Sequence, residues 1–285
     1  MEYKIITPRS KYYPKRLLEI KDYPTKLYAL GNIDLLNKNS IAVVGARDCN
    51  EYGIQQTKRF SSYLAQNDLC IVSGLARGVD SYAHLHSMDK MGKTIAVIAS
   101  GFNNIYPKEN EKLFEKIIEN GGLIISEWEP DVKVNMQRFP RRNRIISGIS
   151  MGTIVIQSRY RSGSNITANY AFKQRREVFC IPGNIDDPRS AGTNRLIKNG
   201  ASIVLSPFDV LEDLEYDGLI LSTNTKISPE FKDTYECVGS IPITAEEIAR
   251  IINKNIRDVN EELLMLEMDG FIKEMGIGKY VIKEE

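Results

Sequence analysis

Between about residues 40 and 205, short apolar runs rich in β-branched side chains alternate with helix-length amphipathic segments. The runs are Ile41–Val44, Cys70–Val72, Thr94–Ala99, Leu123–Ile125, Thr153–Ile156, Val178–Ile181 and Ser202–Leu205. Helical spacing falls between them, over Tyr52–Gln66, Ser81–Met91, Asn110–Glu119, Ile166–Gln174 and Ala191–Lys198. Strands apolar on both faces and separated by helices predict a parallel sheet covered on both sides. The fold class is therefore α/β, a doubly wound, mostly parallel sheet. Ligands of such sheets sit at the carboxyl ends of the strands, where loops enter helices.

The alternation stops after Pro207–Leu214. Residues 215–235 are polar, carry Ser222-Thr223-Asn224-Thr225 and predict a linker. Residues 236–285 predict a small winged-helix domain. Thr244-Ala245-Glu246-Glu247 has the capping-box pattern, Ile256–Met268 repeats apolar residues at helical spacing, and two short runs, Gly270–Ile272 and Gly278–Ile282, would close a wing. Residues 1–39 are too few for another domain and are expected to pack as an extension on the domain at 40–214.

Charge sharpens this division. The chain has 285 residues and a formal net charge of only +1. From Ser206 to Glu285, however, 18 acids face 8 bases, a local −10, which leaves +11 on residues 1–205. Arg138 to Arg161 holds six arginines and no acid, four of them within Arg138-Phe139-Pro140-Arg141-Arg142-Asn143-Arg144. Such a run can be a solvated face or an anion site. No run approaches the ~18 apolar residues of a membrane span, and the N-terminus lacks the regions of a signal peptide. Four scattered cysteines without a CxxC pair point to a reducing cytoplasm rather than disulfides or zinc.

Four predicted strand ends have chemistry suited to phosphate. Gly45-Ala46-Arg47 lets the backbone turn and offers a guanidinium fork. In Ser73-Gly74-Leu75-Ala76-Arg77-Gly78, two glycines and a serine would present backbone N–H groups at a helix N-terminus, with Asp80 as its N-cap. Arg161-Ser162-Gly163-Ser164 repeats that logic. In the arginine-rich stretch, Pro140 fits a first helical turn. Helical spacing aligns Arg141, Arg144, Ile145 and Gly148, so Arg142 and Arg144 need not share a face.

No GxxxxGK[ST] loop or GxGxxG fingerprint supports ATP or NAD, so no cofactor is expected. No GxSxG elbow or Ser/His/Asp set supports catalysis, so an enzyme is not expected. Phosphate-gripping elements repeated along one edge suit a polymeric chain of phosphates. Phe139 among the arginines could stack on the unpaired bases of a single strand, or could be a core ring.

The motifs "VVGARDCNEYG", "SGLARGVDSYAH", "IASGFNNIYP", "GGLIISEWEP", "FPRRNRIISGIS", "RSGSNITA", "REVFCIPGNI" and "GTNRLIKNGA" occur in order over about residues 12–212. Together they closely resemble the DNA-processing protein A family (DprA, or Smf). The resemblance implies an extended Rossmann-like domain, single-stranded DNA binding, a homodimer, and loading of a RecA-type recombinase in natural transformation. It places DNA contacts on Gly45, Arg47, Ser73, Gly74, Arg77, Gly78, Phe139, Arg142, Asn143, Arg144, Ser162, Gly163 and Ser164. Ala46 stands where the family usually has serine, and Arg175 where it commonly has glycine. The alternative is a nucleotide-processing enzyme of the lysine-decarboxylase-like type. That reading lacks the PGGxGTxxE loop, since the chain has Pro182-Gly183-Asn184-Ile185 with Gly192-Thr193 well separated. The acidic tail is expected to contact protein rather than DNA, because its charge would repel phosphates.

Overall fold

The computed structural model describes residues 3–216, 229–239, 241–268, 271–276 and 278–282. The chain forms two compact units, Met1–Ile220 and Leu221–Glu285. Most of the predicted linker lies outside the described residues.

The first unit runs β1 (Lys4–Ile6), α1 (Lys15–Leu18), β2 (Leu27–Gly31), β3 (Ser40–Val44), α2 (Glu51–Gln66), β4 (Cys70–Ser73), α3 (Val79–Leu85) and β5 (Thr94–Ile98). It continues through α4 (Glu111–Glu119), β6 (Leu123–Ser126), α5 (Arg138–Ile149), β7 (Gly152–Val155), α6 (Gly163–Lys173), β8 (Glu177–Cys180), α7 (Ala191–Lys198), β9 (Ser202–Ile203) and α8 (Pro207–Asp213). All seven predicted strands pair within one nine-stranded sheet, ordered β1-β2-β6-β5-β4-β3-β7-β8-β9. From β6 to β9 every pairing is parallel. The direction of strand succession reverses between β3 and β7, which is where an open α/β sheet leaves a crevice.

Alternation within β3 shows how the two layers form. Ile41 and Val43 join Phe60 and Leu64 of α2 and Val79 and Ala83 of α3 in one core. Ala42 and Val44 join Ile145, Ile146 and Ile149 of α5 and Ala168 and Ala171 of α6 in the other. Successive side chains of a strand point to opposite faces, so a run apolar at every position needs helices on both sides.

The N-terminal extension packs into the domain core through Leu17 and Ile20. It also supplies two strands: β2 pairs antiparallel with β6, and β1 with β2. Leu27, Ala29 and Leu30 are buried there. The helix predicted over Ser81–Met91 ends at Leu85. The chain then turns so that the Gly92 N–H donates to the Ala65 carbonyl at 2.8 Å, and a β-carbon on Gly92 would lie 2.1 Å from the Leu69 carbonyl oxygen.

The second unit holds α9 (Lys232–Glu236), β10 (Ile243–Thr244), α10 (Ala245–Ile251), α11 (Ile256–Met268), β11 (Ile272–Glu274) and β12 (Lys279–Ile282). The capping box at Thr244 and Glu247 forms in both directions. A third strand, β10, joins the predicted two-strand ribbon through β12. Ile248, Val259, Leu263 and Leu266 centre the core of this unit.

Gly78 is the N-cap of α3, at φ +70°. A β-carbon there would sit 2.3 Å from the Ala46 carbonyl oxygen and 2.7 Å from that of Arg47. Gly78→Ala should therefore lower stability by about 1–3 kcal/mol in urea denaturation. An unchanged midpoint would show that the β3 and β4 loops need not touch.

Candidate nucleic-acid interface

The loops after β3 and β7 and the N-terminal turns of α5 and α6 converge on one cavity of about 440 Å³ at the β3/β7 reversal. Gly45, Arg47, Phe139, Arg142, Asn143, Ser162, Gly163 and Ser164 all line it. Helix geometry explains the contribution of α5. Phe139, Arg142, Asn143 and Ile146 recur at helical spacing on the face that lines the cavity. Arg141 and Arg144 lie on another face and converge on Glu127, just past β6, at 3.0 and 2.7 Å.

The arginines thus have separate tasks. Arg47 is exposed, lies 5.8 Å from the Phe139 ring centroid and makes no ion pair among the described residues. Exposed Arg161 is likewise unpaired among the described residues. Arg159 pairs with Asp48 at the rim, so the rim acid is matched by a base. Arg142 is 4% exposed. Its guanidinium donates to the Gly74 carbonyl at 2.7 Å, to the Val97 carbonyl, and to Asn143 Oδ1 at 3.1 Å. Burial lowers its pKa to about 10, opposed by Asp80, so it stays charged at neutral pH. Arg142 ties α5 to the ends of β4 and β5, and its charge lies beneath the cavity wall.

Several expected contacts are used internally instead. Arg144 is 2% exposed, pairs with Glu127, and donates to the Asp22 carbonyl at 2.9 Å. It anchors the N-terminal extension and does not line the cavity. Ser73 is fully buried, with its hydroxyl donating to the Val43 carbonyl at 2.7 Å. The loop N–H groups expected to hold an anion already donate to Asp80 Oδ2, from Gly74 at 3.1 Å and from Ala76 at 3.4 Å. Asp80 is therefore not the N-cap of α3. It sits one residue inside the helix and satisfies the loop before it, with its carboxyl pKa raised by burial against the pull of Arg142. Gly78 packs on the neighbouring loop, and exposed Arg77 pairs with Glu109.

The Ser162–Ser164 turn keeps the expected form. Ser162 caps α6, accepting from the Ser164 N–H, while Ser164 donates to Ser158 Oγ at 3.0 Å. A β-carbon on Gly163 would meet nothing within 4 Å among the described residues, so the turn is uncovered at Gly163, while the Asn165 N–H, like that of Ser164, is taken up by Ser162. Phe139 is half-buried and belongs to none of the core clusters. It borders both the main cavity and a smaller one of about 180 Å³, where Gly74 and Arg77 lie and where Tyr106 meets its ring edge-on at 5.6 Å. Sequence reasoning missed Tyr106, Asp48 and Glu127 as parts of the site. The only signal for Glu127 was an acid just beyond a strand end.

Beside this framework lies His84, fully buried, with Nδ1 at 2.7 Å from Thr94 Oγ1 and Nε2 without a hydrogen-bond partner. Burial, then the charge of Arg142, push its pKa from 6.5 down to about 3. Between those values the unfolded chain binds the extra proton, so stability must fall as pH drops through the window. Urea midpoints at neutral and mildly acidic pH should differ less for His84→Gln than for the unaltered chain; equal differences would remove His84 as a cause. Arg144→Ala should cost about 3 kcal/mol of stability, by leaving Glu127 with only the exposed Arg141 and the Asp22 carbonyl without its donor. Normal stability with weakened oligonucleotide binding would return Arg144 to the interface.

Residues 4–215 match the family described as DNA recombination-mediator protein A. Over 278 residues the chain is 37% identical to Protein Smf of Escherichia coli (strain K12), covering 94% of this chain and 74% of that one. It is 44% identical over 204 residues to DNA processing protein DprA of Streptococcus pneumoniae (strain ATCC BAA-255 / R6), covering 72% of each. The crystal structure of DprA from Streptococcus pneumoniae superposes with a TM-score of 0.71 at 41% identity over 75% of each chain. A structure of DprA from Helicobacter pylori, concerned with its single-stranded DNA binding mode, gives 0.69 at 32% identity over 76% of this chain and 97% of that one. No helix among the described residues is long and apolar enough to cross a membrane. By fold, motif order and sequence identity, the chain belongs to the DNA recombination-mediator protein A family.

Proposed function

We propose that the β3/β7 cavity binds single-stranded DNA without sequence preference. On this reading the chain acts in the cytoplasm as a homodimeric recombination mediator, protecting single strands and delivering them to a RecA-type recombinase. One observation carries the binding reading: the half-buried Phe139 ring between two cavities, 5.8 Å from an arginine that makes no ion pair among the described residues. A ring so placed offers a stacking surface to any base. Arg47 and Arg161 offer charge to the backbone, beside the uncovered Gly163 at the start of α6. The single-strand binding mode described for the Helicobacter pylori relative supports the same reading.

The homodimer reading draws support from the far edge of the sheet. There β9 leaves Ile203 53% and nearby Leu205 67% exposed, followed by Phe208 at 44%. An apolar edge strand is a template for pairing unless another surface covers it. The C-terminal unit fits the winged-helix reading, with an acidic surface suited to a protein contact. The nucleotide-processing alternative gains nothing from its expected loop. Gly183 there is bonded in both directions to Asn194, through its N–H at 3.2 Å and its carbonyl at 2.9 Å.

Arg47→Ala should weaken oligonucleotide binding and shallow its log–log salt dependence by about 0.7, the loss of one phosphate contact to a single strand. Phe139→Ala should cost ~1–3 kcal/mol of binding. Fluorescence anisotropy at two salt concentrations, with a blunt duplex alongside, measures both. Equal affinity for the duplex would sink the single-strand reading.

A further inference from the structure

A second aromatic ring beside an arginine stands along the same sheet edge, outside the cavity lining. Tyr160 lies in the loop after β7 and is 56% exposed. The guanidinium carbon of Arg195, on α7, lies 5.1 Å from its ring centroid. Arg195 is exposed and has no hydrogen bond or ion pair from its guanidinium among the described residues. Tyr160 belongs to no hydrophobic core cluster.

Both residues sit on braced backbone. The Asn165 side chain donates to the carbonyls of Arg159 and Tyr160, each at 3.0 Å, and holds the loop over the start of α6. The Gly192 N–H donates to the Ser158 carbonyl at 2.6 Å. A β-carbon on Gly192 would fall 2.6 Å from the carbonyl oxygens of both Ser158 and Arg159, so only glycine lets α7 begin this close to the loop. That approach brings Arg195, one helical turn further on, to the tyrosine ring. The pair is therefore presented by the fold.

We propose that Tyr160 and Arg195 form a second base-stacking platform, so that a single strand runs along the sheet edge from Phe139, past Arg161, to Tyr160. This rests on the single-strand reading of the cavity and extends it. The chemistry repeats that of Phe139 and Arg47, with an exposed π-face for a base and an adjacent cation for the backbone. The order along the edge is consistent, because Arg159 and Arg161, on either side of Tyr160 in sequence, both line the main cavity. The tyrosine platform lies toward β8, while Phe139 lies toward β4. The ligand is a strand long enough to reach both rings.

The test uses the full chain and oligothymidylates of about four and about sixteen nucleotides, lengths that bracket the usual site sizes for single-strand binders. Tyr160→Ala should weaken binding of the longer strand about fivefold or more and leave the shorter one unchanged, with Tyr160→Phe restoring affinity. Arg195→Gln should shallow the salt dependence for the longer strand only. Phe139→Ala serves as the reference and should weaken both lengths. If Phe139→Ala weakens binding and Tyr160→Ala does not, the second platform is wrong while the cavity reading stands. If neither variant affects binding, both fall. A Tyr160→Ala chain that melts lower but binds the longer strand normally would mean that Arg195 merely covers the ring, which also overturns the proposal.

Discussion

The site is organised around one buried guanidinium. Arg142 reaches from α5 to the carbonyls at the ends of β4 and β5 and faces Asp80, which in turn gathers the N–H groups of Gly74 and Ala76. A charge buried this deeply is tolerable only when carbonyl oxygens and an opposing carboxylate replace its water. Once they do, the helix and the two strand ends can separate only by exposing unpaired polar groups. Phe139, three residues earlier on the same helix, inherits a fixed position from that arrangement. The half-buried ring is thus held by a residue that need not itself touch a ligand.

This division of labour explains why one short run carries so many arginines. Arg142 fastens the helix to the sheet, Arg144 fastens the N-terminal extension to the helix, and Arg141 shares Glu127 at the surface. Residues that never leave the interior accounted for part of the charge that suggested an anion site. The charge left for a ligand lies elsewhere, on Arg47 and Arg161, whose positions are set by the glycine turn after β3 and the capped start of α6.

The sheet was legible because a parallel strand covered on both faces must be largely apolar, which the interior runs were; β9, an edge strand with Ile203 exposed, met that condition least. Glycine, serine and arginine at the strand ends marked the loops that meet at the cavity, but they did not separate residues facing it, such as Arg47 and Gly163, from those used within the fold, such as Ser73 and Gly78. What escaped depends on contacts between distant segments. β1 spans three residues and alternates weakly, and β2, although Leu27–Leu30 is an apolar run, takes its place in the sheet through antiparallel pairing with β6. That Arg144 is internal follows from Glu127 and Asp22, 17 and 122 residues away, which no local pattern connects to it. Ser73 reads as a ligand residue from its place at a strand end, yet its hydroxyl bonds to the adjacent strand. Helical spacing did separate Arg142 from Arg144, but it could not say which face was open.

Near-neutrality constrains how such a chain could find a polyanion. The +11 on residues 1–205 and the −10 on residues 206–285 leave a net charge of +1, so the chain as a whole has almost no net monopole. Beyond a Debye length of about 10 Å in ordinary salt, even local imbalance is screened. Attraction must therefore come from short-range features, namely guanidiniums without an ion pair among the described residues, and aromatic rings accessible at the surface. Of these, stacking is the term least weakened by salt, because it does not rest on counterion release. A binding edge built from aromatic–arginine pairs, instead of a broad basic surface, fits a chain that carries nearly as many acids as bases.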